Sequence, residues 1–174
     1  MILKSLLWGC AFASVGFAAQ AATFANGGFE LGDLSGWSSS GGVVEVVTAA
    51  DDAIVTPPFG AHYDPVEGDY FAKLTAGEDL GVYTLLSQPF DLLVASSLTG
   101  SAAFLAFDYI PYDDDAFVRI LSAATNQIVF SSSVSEVGDY GHTSWTHFAT
   151  GPLAAGAYVL EAGVRDIGDV GGSS

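Results

Sequence analysis

No stretch of this 174-residue chain sustains a helical apolar period beyond two turns. Its apolar residues fall into short runs closed off by Gly, Pro, Asp or Ser. Such runs are too short for packed helices and suit strands that bury one or both faces. The spacing predicts strands at Phe24–Leu31, Val43–Val47, Tyr70–Thr75, Val82–Ser87, Ala102–Ile110, Phe117–Ser122, Ile128–Ser133, Trp145–Thr150 and Ala157–Arg165. Ala103–Tyr109 is apolar on both faces, as a central strand would be. Tyr158, Leu160, Ala162 and Val164 alternate to form one continuous inward face. Turn chemistry separates the runs, at Gly41-Gly42, Pro57-Pro58, Asp64-Pro65, Asp113-Asp114-Asp115, Gly138-Asp139 and Gly151-Pro152. About nine short strands with compact connections predict an all-β chain, an antiparallel β-sandwich forming one domain.

Half of the residues are hydrophobic and the aromatics number 12 Phe, 7 Tyr and 3 Trp, which excludes a disordered acidic tail. Twenty Asp and Glu face four Lys and Arg, for a formal charge of −16. The basic residues, Lys4, Lys73, Arg119 and Arg165, are scattered singly. Nucleic acid and an anionic membrane surface are therefore excluded as partners, because both would be repelled.

Residues 1–21 read as a secretory leader, a short helix preceding the domain at 22–174. Lys4 supplies the charged start, Leu6 to Phe17 the apolar run, and Ala19-Gln20-Ala21 the small-x-small cleavage pattern. Leu7-Trp8-Gly9-Cys10 loosely follows a lipid-attachment pattern, but bulky Trp8 and the short preceding run disfavour it. Cleavage after Ala21 would remove Lys4 and the single cysteine, taking the formal charge from −16 to −17. The exported domain would then have no disulfide and depend on core burial, with a bound metal as the available supplement. After Arg165 the chain reads Asp166-Ile167-Gly168-Asp169-Val170-Gly171-Gly172-Ser173-Ser174, without a late strand to close the sandwich. An open apolar edge invites aggregation, so a closing strand is expected beyond Ser174, the alternative being that the chain ends in a flexible tail.

Asn26-Gly27-Gly28-Phe29-Glu30, then Leu34-Ser35-Gly36-Trp37, resembles the opening of galactose-binding-domain-like jelly rolls, best known as carbohydrate-binding modules of bacterial secreted hydrolases. Gly68-Asp69-Tyr70-Phe71-Ala72-Lys73-Leu74 is similar to a strand that often follows in those modules. Phe107-Asp108-Tyr109 through Val118, the Trp145 strand and Gly156–Asp169 look like surface and secreted proteins of the PEP-CTERM type from Gram-negative bacteria. The resemblance implies a jelly roll at the cell surface or in the medium of such a bacterium, with polysaccharide or extracellular matrix as partner. It also implies a structural calcium held by Glu30, with Asn26 adding an oxygen and Asp169 or Asp166 as the late-chain ligand. Oxygen-rich sites of this kind suit Ca²⁺. The sorting signal of PEP-CTERM proteins does not occur within these 174 residues and would lie further on.

Other residues offer less. Asp113-Asp114-Asp115 lacks the continuation of an EF-hand loop, since Phe117 and Val118 follow, and reads as a solvated turn. Aromatic rings can stack on sugars: Trp37, Tyr63, Tyr112, Tyr140 and Trp145 are the candidates. Tyr112 is favoured as the ligand contact because it sits on a loop, and Trp37 is carried beside it, though the resembled modules use that position as a core plug. His62, His142 and His147 match no zinc spacing. Nucleophile-elbow, phosphate-loop and dinucleotide signatures are all missing, so no enzyme is expected. The expectation is a non-catalytic, glycan-associated binding module; the alternative is a surface or matrix assembly protein acting through protein–protein contacts.

Overall fold

A computed structural model describes residues 1–7, 24–51 and 60–168. In chain order its elements are β1 (Ile2–Leu7), β2 (Ser38–Ser40), β3 (Val43–Val47), β4 (Ala50–Asp51), β5 (His62–Tyr63), β6 (Phe71–Thr75), β7 (Thr84–Leu92) and β8 (Thr99–Ala103). There follow β9 (Asp115–Leu121), β10 (Asn126–Ser133), the single turn α1 (Val134–Val137), β11 (Thr146–Ala149) and β12 (Gly156–Arg165). One five-stranded sheet runs β11-β8-β1-β6-β3, the other β10-β9-β12-β7-β2, and every pairing is antiparallel. The protein is an all-β antiparallel sandwich.

Alternation places the core. Along β12, Tyr158, Leu160, Ala162 and Val164 turn inward, meeting Val118 and Ile120 of β9 and Leu86 and Phe90 of β7. Ala72, Leu74, Ala102 and Phe148 come from the opposite sheet, and Phe104 from just beyond the end of β8. Phe104, Leu160 and Val164 are each 0% exposed and belong to one interior. The outer face of the first sheet carries a smaller cluster, in which Phe71, Ala103 and Leu105 pack under Ala50 and Tyr63 of the β4–β5 hairpin.

Two expected strands change form. Phe24–Leu31 is a chain of turns, because Asn26 and Phe29 adopt φ of 51° and 63°, which no ladder accommodates. The Ala102–Ile110 run leaves its ladder at Ala103. Its continuation stays buried by pairing irregularly with 141–143: Thr143 N donates to Phe104 O at 2.9 Å and Ala106 N to Gly141 O at 2.9 Å.

The leader helix expected over residues 1–21 is not what its first residues form. Ile2–Leu7 make strand β1, in register with both β6 and β8, while residues 8–23 lie outside the described residues. A six-residue segment with four apolar residues around Lys4 and Ser5 suits either conformation, and here two flanking strands meet its backbone groups.

Candidate metal centre and tyrosine patch

The end of the β9–β12 ladder gathers acids. Register pairs Arg165 with Asp115, so Asp166 and Asp114 are the next residues out on the two strands. Asp108 arrives from the segment after β8, and ligand atoms of Asp108, Asp114 and Asp166 lie within 4.8 Å of one another. All three residues are buried, at 3%, 0% and 2% exposure. Backbone geometry locks them in place. Tyr109 N donates to Asp108 Oδ1 at 2.7 Å and Ile167 N to Asp114 Oδ1 at 2.8 Å. Main-chain bonds from Val134 N to Asp114 O and from Gly81 N to Asp166 O, 3.0 and 2.8 Å, fix the surrounding loops. Asp108 Oδ2 and Asp166 Oδ1 are buried oxygens that accept none of these bonds.

Three carboxylates this close, out of water, repel strongly unless a cation or shared protons offset their charge. The donor set is hard oxygen throughout, which suits Ca²⁺ and offers nothing to a metal that prefers nitrogen or sulfur. The triplet expected to be a solvated turn is therefore corrected. Its three acids point apart, as adjacent residues must, but each meets a different partner. Asp113 Oδ1 accepts from Ser135 N at 2.7 Å, and that bond holds its carboxyl below the usual range. Asp114 is interior. Asp115 takes Arg165 Nη2 and Nε at 2.6 and 2.8 Å on Oδ2 and the Tyr83 hydroxyl at 2.6 Å on Oδ1. Burial, then the Asp115 bond, pushes the Tyr83 phenol up to about 12, and Asp115 raises the Arg165 pKa.

The expected calcium ligands are not assembled in this way. Asn26 spends its amide on its own loop, donating from Nδ2 to Asp33 O at 2.8 Å and accepting from Leu31 N at 3.1 Å. Glu30 is exposed and accepts from Asp69 N at 2.9 Å. Its carboxylate lies over Gly68, where a Cβ would come within 2.1 Å of Oε1 and where φ is +62°. Both are loop-fastening residues here, and Asp169 lies outside the described residues. Asp166, the alternative late ligand, joins the trio instead.

A patch of tyrosines is built on the same loops. Tyr109 meets Tyr112 edge-on at 5.4 Å and Tyr140 at 5.8 Å. Tyr109 and Tyr140 are about two-fifths exposed, and Ile110 between them and Pro111 is half exposed. Tyr140 N donates to Asp108 O at 2.8 Å, and Ile110 N to Asp139 Oδ1 at 3.0 Å. Tyr112 is half-buried against Gly168, where a Cβ would fall 2.6 Å from its ring. Every ring is thus tied within two residues, or by a backbone bond, to a member of the trio. A surface concavity of about 530 Å³ adjoins this end, between Gly41–Val43 and the Thr75–Val82 loop.

Trp37 does not qualify as a ligand contact. It is buried, stacked on Phe29 at 5.1 Å, and its Nε1 donates to Asn26 O at 3.1 Å. Trp145 and Tyr63 pack edge-on beside Phe71, with Trp145 Nε1 on Asp64 O. His62 bridges Asp51 and Asp64 at 2.5 and 3.3 Å and shares a shallow concavity with His142, while His147 is exposed on β11. Asp108 was not among the expected ligands. Its flag in the sequence is a lone acid inside the apolar run Ala102–Ile110, a place where an ionisable group needs a partner.

No protein-family model matches the chain, and no curated protein matches it. Among solved structures, the enzymatically active domain of bacteriophage CBA120 tailspike protein 4 aligns with a TM-score of 0.40 and 15% identity, over 86% of this chain. The chain spans about a fifth of that one (20%). The expectation that this chain is not an enzyme is withdrawn, since nothing among these comparisons supports it. A likeness at this level assigns it no activity either.

Proposed function

We propose that the protein is an exported β-sandwich binding module in which a calcium ion, held by Asp108, Asp114 and Asp166, orders a tyrosine surface that meets neutral polysaccharide. The observation that carries this is the convergence of three buried carboxylates under loops that bear Tyr109, Tyr112 and Tyr140. A divalent ion would cancel most of the trio's charge and fasten three separate segments, around 108, 114 and 166, at one point. Partly exposed tyrosines suit the apolar face of a pyranose while leaving hydroxyls for hydrogen bonds. The formal charge of −16 favours uncharged chains over acidic ones.

Export from a Gram-negative cell, and kinship with galactose-binding-like or PEP-CTERM-type surface proteins, belong to the same proposal and rest on the motifs quoted above. Affinity electrophoresis through neutral and acidic polysaccharides tests the glycan half. Retention in a neutral gel, weakened at least several-fold by Tyr112→Ala and by calcium removal, is the expected result. Migration unaffected by every polysaccharide would discard it.

A further inference from the structure

The smaller apolar cluster on the outer face of the first sheet is covered by a ladder of two rungs. Ala50 and Asp51 of β4 pair with Tyr63 and His62 of β5. Ala50 and Tyr63 turn towards Phe71, Ala103 and Leu105, and all five are buried. Asp51 and His62 form the other rung and turn to solvent, with side chains 72% and 54% exposed. A two-stranded ribbon this short is marginal by itself, so its closure depends on side-chain fastenings. The Tyr63 hydroxyl donates to Thr143 O, and Trp145 Nε1 donates to Asp64 O at 2.9 Å. His62 in turn ties Asp51 to Asp64.

That last fastening needs a proton. His62 Nδ1 lies 2.5 Å from Asp51 Oδ1, and Nε2 lies 3.3 Å from Asp64 Oδ1. Ionised carboxylates only accept hydrogen bonds, so both ring nitrogens must donate, which the imidazolium alone can do. The neutral ring would turn one lone pair towards a carboxylate oxygen. The Asp51 bond first, then the Asp64 bond, raises the His62 pKa above its ordinary 6.5. His142 lines the same concavity, while His147 of β11 and the Glu45–Lys73 rung lie further along the sheet.

We propose that Asp51, His62 and Asp64 form a pH-operated clasp, which holds β4 and β5 over the apolar outer face of the first sheet while His62 is protonated and releases them when it is not. The device is separate from the acid trio and does not depend on the glycan reading. A folded pKa above the unfolded one makes the clasp complete below pH 6.5 and loses it as pH rises through the folded value. Release uncovers Phe71 and Leu105 and frees the Trp145 indole from Asp64 O.

An NMR titration of the full chain from about pH 5 to about pH 9, with calcium held constant, tests the clasp. The His62 ring resonances should report a pKa above 6.5. Protection of the Trp145 indole proton, normalised for intrinsic exchange, should fall by about tenfold or more through the same transition. His62→Gln, neutral throughout, should hold one low level of protection across the range. Asp51→Asn should bring the His62 midpoint down further than Asp64→Asn, in keeping with the shorter contact. His142→Gln and His147→Gln should leave the transition in place. A His62 pKa at or below 6.5 would overturn the clasp. So would indole protection that ignores the His62 midpoint, keeps its transition in His62→Gln, or loses it in His142→Gln.

Discussion

Two neighbouring rungs at the end of the β9–β12 ladder show opposite solutions to the same problem. Asp115 faces Arg165, whose guanidinium grips one carboxylate oxygen while the Tyr83 hydroxyl takes the other. Arg165 also lies 4.7 Å over the Tyr83 ring. One residue further out, Asp114 and Asp166 bring like charges to adjoining strands, and Asp108 adds a third. The inner rung is neutralised by side chains the chain supplies. The outer one receives backbone donors from Tyr109 and Ile167, and the proposed calcium ion would offset its remaining charge. Acids that look equivalent in sequence therefore divide into a structural pair and a proposed cation site according to what lies across the sheet.

The sharpest way to break this contrast is to change the outer rung. In calcium at a hundredfold excess over Kd, the ion should add about 2.7 kcal/mol, and EDTA should lower the melting temperature by roughly 5–10 °C. Asp114→Asn or Asp166→Asn should abolish that sensitivity and reverse the order: less stable than wild type in calcium, more stable in EDTA, where the repulsion is relieved. Thermal melts of each variant in both buffers check this, and wild type indifferent to EDTA would merge the two rungs into one class.

The inner rung should behave otherwise. Arg165→Met removes two charge-assisted bonds and should cost about 1–2 kcal/mol equally in calcium and EDTA, read by urea unfolding. Tyr83 gives that rung a pH signature. Its folded pKa, about 12, exceeds its ordinary value of 10.0, so its contribution is whole below pH 10 and is lost as pH rises towards 12. Urea midpoints from pH 9 to 11.5 should fall less steeply in Tyr83→Phe than in wild type. Smallest of all is Glu30→Gln, whose amide oxygen still accepts from Asp69 N. It should shift stability by under about 0.5 kcal/mol and leave the EDTA response intact.

Much of the fold was legible in the sequence because burial on one face imposes a period of two. Val43–Val47 is β3 to the residue, and β6, β9, β10, β11 and β12 fall within a few residues of the runs that predicted them. Phe24–Leu31 was misread because an apolar run says nothing of φ, and Asn26 with Gly27-Gly28 holds a turn there. The candidate metal centre was harder to see. Asp114 looked like turn chemistry between two other acids, and Asp108 looked like part of a strand. Only the ladder register brings them to Asp166, across dozens of residues. Tyr112 remained on a loop, beside that centre, while Trp37 became core because Phe29 covers its face.

Calcium titration by calorimetry into the full chain tests the cation site most directly. One ion per chain should bind, with binding lost in Asp114→Asn and retained in Glu30→Gln. Absence of binding by the wild type, or loss in Glu30→Gln with retention in Asp114→Asn, would contradict the account.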